Sequence, residues 1–489
     1  MTSGREAPRD YLARWPLVAV LLASAGVAHA HGSGADRGLV MLLPTTYYLA
    51  GGAFAVLASF LVLAKVPRED IEQTVAARWE LFRVRDGLLE TLRLWFSAAT
   101  FVCWGLLVLA GLIGSRDPLA NPLPTMFWSI WWVAFALLHV AFGNLWSWLN
   151  PWHAPIRLIG LISGRRHAHA RLVPLPAMLR YWPSIVIFFG FAWFELVSLA
   201  PSDPTQLAKI IIAYWCFVFC AMLLFGEEAW ATAAEPFSVF FAMIAALAPF
   251  QLETPQDGGN ARVVTIGWPG RALLSKPPLP LSGTLFVLLA LASVSFDGLS
   301  RTFFWLNLIG INPLEFPGRS AVVMPNTLGL IGTFLALAAV FLICVHIGCV
   351  LTGTKTSSIQ AAGALVYSII PISIGFHAAH YLTTLMLDGQ FAVVSLSDPY
   401  AQGWDLLRVG AFQPTASFFN NIRDVTLIWN TQAVIICFAH VVGIIMAHST
   451  AARLFGTRRR ATTSQYALAG LMVFYTVFGL WLLSTPTGA

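Results

Sequence analysis

Apolar runs of about 20 residues, separated by short polar segments, cover most of the chain. About 20 helical residues are what a ~30 Å hydrocarbon core requires at ~1.5 Å rise per residue. The pattern predicts spans at about 38–64, 94–114, 125–149, 181–200, 208–226, 281–300, 325–352, 361–386, 425–451 and 463–485. The run 237–250 follows Pro236 and holds about 14 residues. That length suits a re-entrant or interfacial segment better than a crossing. The expected fold is therefore all-α: a polytopic transmembrane helix bundle of about ten spans plus that segment, in one helical domain over 31–489. Neither an internal repeat nor a low-complexity tract interrupts it.

The first 30 residues follow a different pattern. Arg5, Arg9 and Arg14 precede an apolar core from Leu17 to Val27, which is too short to span, and Ala28-His29-Ala30 is a small-x-small cleavage site. This reads as a cleavable signal peptide. Cleavage after Ala30 would leave His31-Gly32 as the mature N-terminus, on the periplasmic side of a bacterial inner membrane.

Composition agrees with the membrane reading. Of 489 residues, 57% are hydrophobic and 11% charged, against about 25% charged in a soluble domain. The 19 Trp and 35 Phe suit lipid-facing and interfacial positions. Lipid is thus the first partner. The net charge of +6 sits in short loops, so it sets topology, and nucleic acid is excluded as a partner. With the N-terminus outside, Arg68–Arg85, Arg157–Arg171, Arg262–Lys276, Lys355 and Arg453–Arg460 are all cytoplasmic, which puts both termini in the periplasm. The six cysteines fall inside apolar runs and read as buried free thiols. The longest outer loop, about 387–424, is the candidate lid or surface for a partner subunit.

Ionisable side chains inside spans are costly and mark functional sites. His377 and His380 are three residues apart in span 361–386, on one helix face. Cys437 and His440 repeat that spacing in span 425–451, where His448 lies ~12 Å from His440 along the axis. Glu195, Asp297 and Asp388 lie in the outer parts of their spans. Together with His31 they outline a cluster in the periplasmic half. His139 and His346 read as hydrogen-bonded structural histidines, and Glu227, Glu228 and Glu235 as a solvated cytoplasmic edge.

Imidazoles bind zinc, copper and iron, and a metal-bound water near pKa ~7 is a nucleophile. The residues thus suggest a transition-metal site, copper or zinc. His377 and His380 would be ligands and His440 and His31 further ligands, with Asp297 or Glu195 as base or orienting group. Such a site could hydrolyse an apolar small-molecule ester. Three alternatives stay open at this point. One is a copper or other metal carrier or assembly factor, using Cys437 and an N-terminal His31 brace. Another is a transporter with a histidine proton relay. A third is a b-type haem between His377 and His440.

Several stretches resemble a family of bacterial polytopic membrane proteins, some of which carry the label fenitrothion hydrolase. They are His31-Gly32, Gly143-Asn-Leu-Trp-Ser-Trp-Leu-Asn-Pro-Trp152, Phe191-Ala-Trp-Phe-Glu195-Leu and Val294-Ser-Phe-Asp297-Gly-Leu-Ser300. To these add His377-Ala-Ala-His380-Tyr-Leu, Ser397-Asp-Pro-Tyr-Ala-Gln-Gly-Trp-Asp405 and Ala439-His440-Val-Val-Gly-Ile-Ile-Met-Ala-His448. They run through nearly the whole chain. The start, His31-Gly32-Ser33-Gly34, departs from the family's His-Gly-Phe-Gly form. The resemblance implies metal-assisted attack of hydroxide on a phosphotriester. The His-x-His and bridging lysine of soluble phosphotriesterases are not present.

Overall fold

The computed structural model describes residues 45–163, 172–255, 261–312 and 318–485. The signal peptide and His31 lie outside the described residues. Among those described, nine helices are long and apolar enough to cross a membrane. They are α1 (Thr45–Leu63), α2 (Asp86–Ile113), α3 (Pro122–Phe142), α5 (Pro204–Phe225), α7 (Leu281–Ser300), α8 (Arg319–Thr352), α9 (Ser358–Ser397), α10 (Ile422–Phe455) and α11 (Tyr466–Ser484). Two shorter apolar helices complete the set, α4 (Trp182–Leu196) and α6 (Pro236–Ala245). The chain is thus a mostly helical, multi-pass membrane protein.

Burial sorts the helices. The apolar stretch of α7 is 89% buried and that of α9 83%, against 17% for α1. The outer helices therefore meet lipid, and α7, α9 and α10 form the centre. Small residues let this centre close, as they do at membrane helix crossings. A Cβ on Gly375 of α9 would stand 2.3 Å from the Ala439 Cβ of α10, and one on Gly443 would stand 2.8 Å from the Ser368 carbonyl oxygen. These two approaches fix α9, and with it His377 and His380, against α10.

Four features differ from the sequence reading. Helix α3 stops at Phe142 rather than running to 149, because Gly143 turns the chain at φ +92°. Helix α9 runs on to Ser397, so the outer segment begins at 398 instead of 387. There Gln390 ties the helix to Thr415 through both ends of its amide, at 3.0 Å each. Three strands also join the helices: β1 (Arg78–Arg85), β2 (Phe250–Glu253) and β3 (Ala261–Gly267), antiparallel in the order β1-β3-β2. The β-branched and aromatic residues Phe82, Val84, Val263, Val264 and Ile266 favour this pairing. Arg78 and Arg271 both reach Glu253 across it. The fourth difference concerns the acids. Glu227 and Glu235 are buried, not solvated. Glu227 accepts from His153 and Arg93, each at 2.8 Å. Glu235 caps α6 by accepting from the Phe237 and Ser238 amides and from the Tyr214 hydroxyl.

The sheet and the arginine-rich segments share one end of the bundle. Arg453 donates to the Leu274 carbonyl, Arg458 to that of Ala64, and the Leu279 amide to Gly363. The opposite end carries Arg116 paired with Asp203 and the ends of α4, α7 and α11.

Candidate functional site

The site lies where α9 meets α7, α4 and α3. On α9, His377, His380 and Tyr381 occupy positions i, i+3 and i+4, one face of the helix. On α7, Asp297 sits in the last turn with Arg301 four residues on, where a cation also meets the helix C-terminal dipole. Glu195 ends α4. In α3 the chain winds as a π-helix over Met126–Ala134, a local form that often marks functional sites, and Trp132 belongs to that segment.

Asp297 is the hub. Its Oδ2 lies 2.8 Å from His380 Nε2 and 2.7 Å from the Tyr381 hydroxyl. Its Oδ1 is paired with Arg301 at 3.0 Å, without hydrogen-bond alignment. Tyr381 also reaches Glu195 Oε1 at 3.1 Å. A phenol has one proton to give. Tyr381 therefore donates to one carboxylate at a time, and its contact with the other carboxyl closes only when that group is itself protonated. Two acids, one hydroxyl and one imidazole thus share a proton network in the interior of the bundle.

His380 donates through Nε2 to Asp297, which leaves Nδ1 as its acceptor nitrogen. A Cβ on Gly298 would stand 3.7 Å from that Nδ1, in ordinary van der Waals contact. His377 points elsewhere. Its Nε2 lies 3.1 Å from the Trp132 carbonyl oxygen, which only accepts, so Nε2 carries the proton. The two histidines share a helix face but engage different helices.

The other predicted residues disperse. His440 donates Nδ1 to its own helix at Ile436, 2.8 Å away, and its buried Nε2 closes no hydrogen bond. Cys437 faces α1, its Sγ 3.4 Å from where a Gly52 Cβ would stand. Asp388 accepts from Ser129 at 3.2 Å. His448 accepts from the Gln465 amide at 3.1 Å. The structural reading of His139 is complete: Nδ1 donates to Phe135 at 2.7 Å and Nε2 accepts from the Trp146 amide at 2.9 Å. His346 pairs with Ser358 at 3.0 Å.

Among the described residues this arrangement does not assemble a transition-metal ligand set. His377 and His380 each spend Nε2, on Trp132 and Asp297, and have only Nδ1 left to offer. No group of three or more His, Cys, Asp or Glu side chains gathers in a ligating arrangement among the described residues.

Two cavities flank the network. The larger, about 740 Å³, is lined by His380, Tyr381, Glu195, Asp388, Arg301 and Arg319, with apolar walls that include Trp128, Ile428 and Leu482. It reaches the surface past Leu119 and Phe419, which are 46% and 38% exposed. The smaller, about 10 Å³, lies deeper, beside His377. Glu195 and Tyr381 line both and form the wall between them.

Tyr381, Arg301, Trp132 and Arg319 were missed as site residues by the sequence reading. The i,i+4 spacing of His377 with Tyr381 and of Asp297 with Arg301 was the available signal. Arg319 holds α4 in place through two 3.0 Å bonds to the Glu195 and Ser198 carbonyls, a long-range contact with no local signature. No family model, curated protein or solved structure matches the chain.

Proposed function

We propose that this protein is a membrane-embedded hydrolase of apolar esters, with the 740 Å³ vestibule as its substrate site and the Asp297–His380 pair as its general base. One observation carries the reading: an imidazole held by a buried carboxylate belongs to a residue that lines a vestibule with both apolar and polar walls. His380 Nδ1 takes a proton from water as the hydroxyl adds to the ester centre. Asp297 stabilises the imidazolium, and His380 then returns the proton to the departing alkoxide, so that ester and water become acid and alcohol. Positioned general bases contribute ~10²–10⁴-fold. Arg301 and Arg319 supply positive charge at the wall where oxygen charge develops.

The test is turnover of apolar carboxylic esters and phosphotriesters by the purified full chain in nanodiscs. His380→Ala and Asp297→Ala should each lose ~100-fold or more. Turnover unchanged in both variants would refute the general base. Stoichiometric zinc or copper, lost on His377→Ala/His380→Ala, would restore a metal-dependent mechanism or metal handling in its place.

The shared Glu195–Tyr381 wall favours a second reading, proton-coupled transport through the same network. Proton flux into liposomes driven by an apolar solute, without hydrolysis, would establish it.

We further propose ten crossings, with α4 crossing and α6 re-entrant. β1 and β3 pair, so an even number of crossings separates residue 85 from residue 261. Five labelled helices lie between them, and α6 is the shortest, ~15 Å for its ten residues. With the arginine-rich end cytoplasmic, the vestibule and both termini face the periplasm of a bacterial inner membrane, where a partner subunit could meet the segment after Ser397.

A further inference from the structure

The small inner cavity is walled by unusual chemistry for an interior void. Genuinely empty cavities are apolar, whereas a buried water needs two to four polar partners and roughly 10–15 Å³. Here about 10 Å³ is bounded by Trp132, Glu195, Ser293, Ser373, His377 and Tyr381, together with apolar neighbours. Several of these groups have unspent hydrogen-bonding capacity. Ser373 is only 6% exposed, and its hydroxyl makes no hydrogen bond among the described residues. The Ser293 hydroxyl donates to Ala290 at 3.0 Å and keeps its lone pairs. Trp132 lines the cavity together with Glu195, and its buried Nε1 closes no hydrogen bond among the described residues. His377, committed through Nε2, has Nδ1 left as an acceptor.

We infer that the inner cavity is a single-water site that links His377 to Glu195 and so extends the vestibule's proton network one step into the bundle. The water satisfies Ser373 and Trp132, donates to the Glu195 carboxylate, and gives His377 a partner for Nδ1. The path then reads His380, Asp297, Tyr381, Glu195, water, His377. Asp297 joins His380 to Tyr381, the Tyr381–Glu195 link closes when Glu195 carries the proton, and the water supplies the last link, so the Glu195–Tyr381 wall passes protons while it blocks substrate. A metal-free role for His377 follows: it is the inner terminus of the relay, a positioning and proton-holding group that never touches substrate.

This inference deepens the proposed site but does not need its chemistry to be hydrolysis. The experiment is a high-resolution cryo-electron microscopy map of the full chain in nanodiscs, paired with infrared difference spectra in H₂¹⁶O and H₂¹⁸O. The expected result is one density ~2.7–3.1 Å from Ser373 Oγ and the Glu195 carboxylate, at hydrogen-bond distances. An ¹⁸O-sensitive water band should be present in the wild type and in Ser373→Ala, and lost in Ser373→Val, whose added methyl groups fill the space. A cavity without density, or a wild type without such a band, overturns the inference. Density at ~2.4 Å from its oxygens would also overturn it, in favour of a small cation. Absence of esterase turnover with the band intact would remove the hydrolase reading and leave the water site standing.

Discussion

Asp297→Ala tests the network at its hub. The carboxylate accepts from His380 at 2.8 Å and from Tyr381 at 2.7 Å, and pairs with Arg301 at 3.0 Å. Hydrogen bonds to a charged group contribute ~1.5–3 kcal/mol each. Arg301 is 54% exposed, so its pairing adds only the ~0–1 kcal/mol of a solvent-screened ion pair. Removing Asp297 also relieves the desolvation of a 1% exposed carboxylate, which offsets part of the loss. The net expectation is a destabilisation of ~3 kcal/mol. Asp297→Asn keeps one oxygen that can accept from both His380 and Tyr381 but loses the charge and turns its NH₂ toward Arg301, so it should cost about half as much. Asp388→Ala is the control. Among the described residues that side chain has one hydrogen bond, 3.2 Å from Ser129, and its loss should cost under ~1 kcal/mol. The assay is equilibrium unfolding in mixed micelles titrated with a denaturing detergent. Asp297→Ala within ~0.5 kcal/mol of wild type, or no worse than Asp388→Ala, would refute the view that these contacts form one network.

Three further outcomes follow from other parts of the fold. Gly375→Ala places a Cβ 2.3 Å from Ala439 and should destabilise by ~1–3 kcal/mol as an overpacked contact; the double variant with Ala439→Gly should recover most of that loss in the same unfolding assay. Glu235→Ala removes the acceptor for the Phe237 and Ser238 amides and strands the Tyr214 hydroxyl. Its cost should be ~2–4 kcal/mol, from a lost helix cap and an unpartnered buried donor, with Glu235→Gln losing less than half as much. Asp203, which caps α5 outside the spans, is held below the usual carboxylate range by the Gln206 amide first and by Arg116 as well. A depressed acid stabilises the fold above its unfolded value, near pH ~4, and that contribution disappears as pH falls through the folded value. The stability gap between wild type and Asp203→Asn should therefore shrink below pH ~4; a gap that grows there would contradict the assignment.

How much of this was legible in the chain depends on the range of the interaction. The apolar runs marked all nine membrane-length helices, because burying each backbone amide inside its own helix is a local requirement in lipid. Helix ends were less legible. Gly143 and the Gln390–Thr415 tie set two of them, one by a backbone angle and the other by a side-chain contact that length alone does not foretell. The sheet escaped because β1 and β3 are nearly 180 residues apart, and eight residues such as Arg78–Arg85 carry no strand signal strong enough without their partner. Glu227 and Glu235 were read as solvated for a related reason: His153, Arg93 and Tyr214, which make their burial tolerable, are distant in sequence.

The histidine pair shows the same limit in the site itself. A shared helix face is a statement about one helix, and it placed His377 and His380 side by side correctly. What each imidazole does is decided by the helix opposite, and here those helices differ: a carboxylate of α7 faces His380 and a backbone carbonyl in the π segment of α3 faces His377. A carboxylate partner orients an imidazole and can stabilise the imidazolium once a proton has been taken; a carbonyl partner only fixes its tautomer. The same spacing therefore yields one group suited to taking a proton at the vestibule and one suited to holding a neutral position deeper in the bundle. Tyr381, one residue beyond the pair, joins Asp297, and through it His380, to Glu195. Altering one environment alone tests the assignment of roles. Asp297→Asn should depress His380-dependent proton transfer while leaving the His377–Trp132 bond intact, which the His377 ring NMR resonances would report. A His377 shift as large as that of His380 would mean that the two rings belong to one site after all.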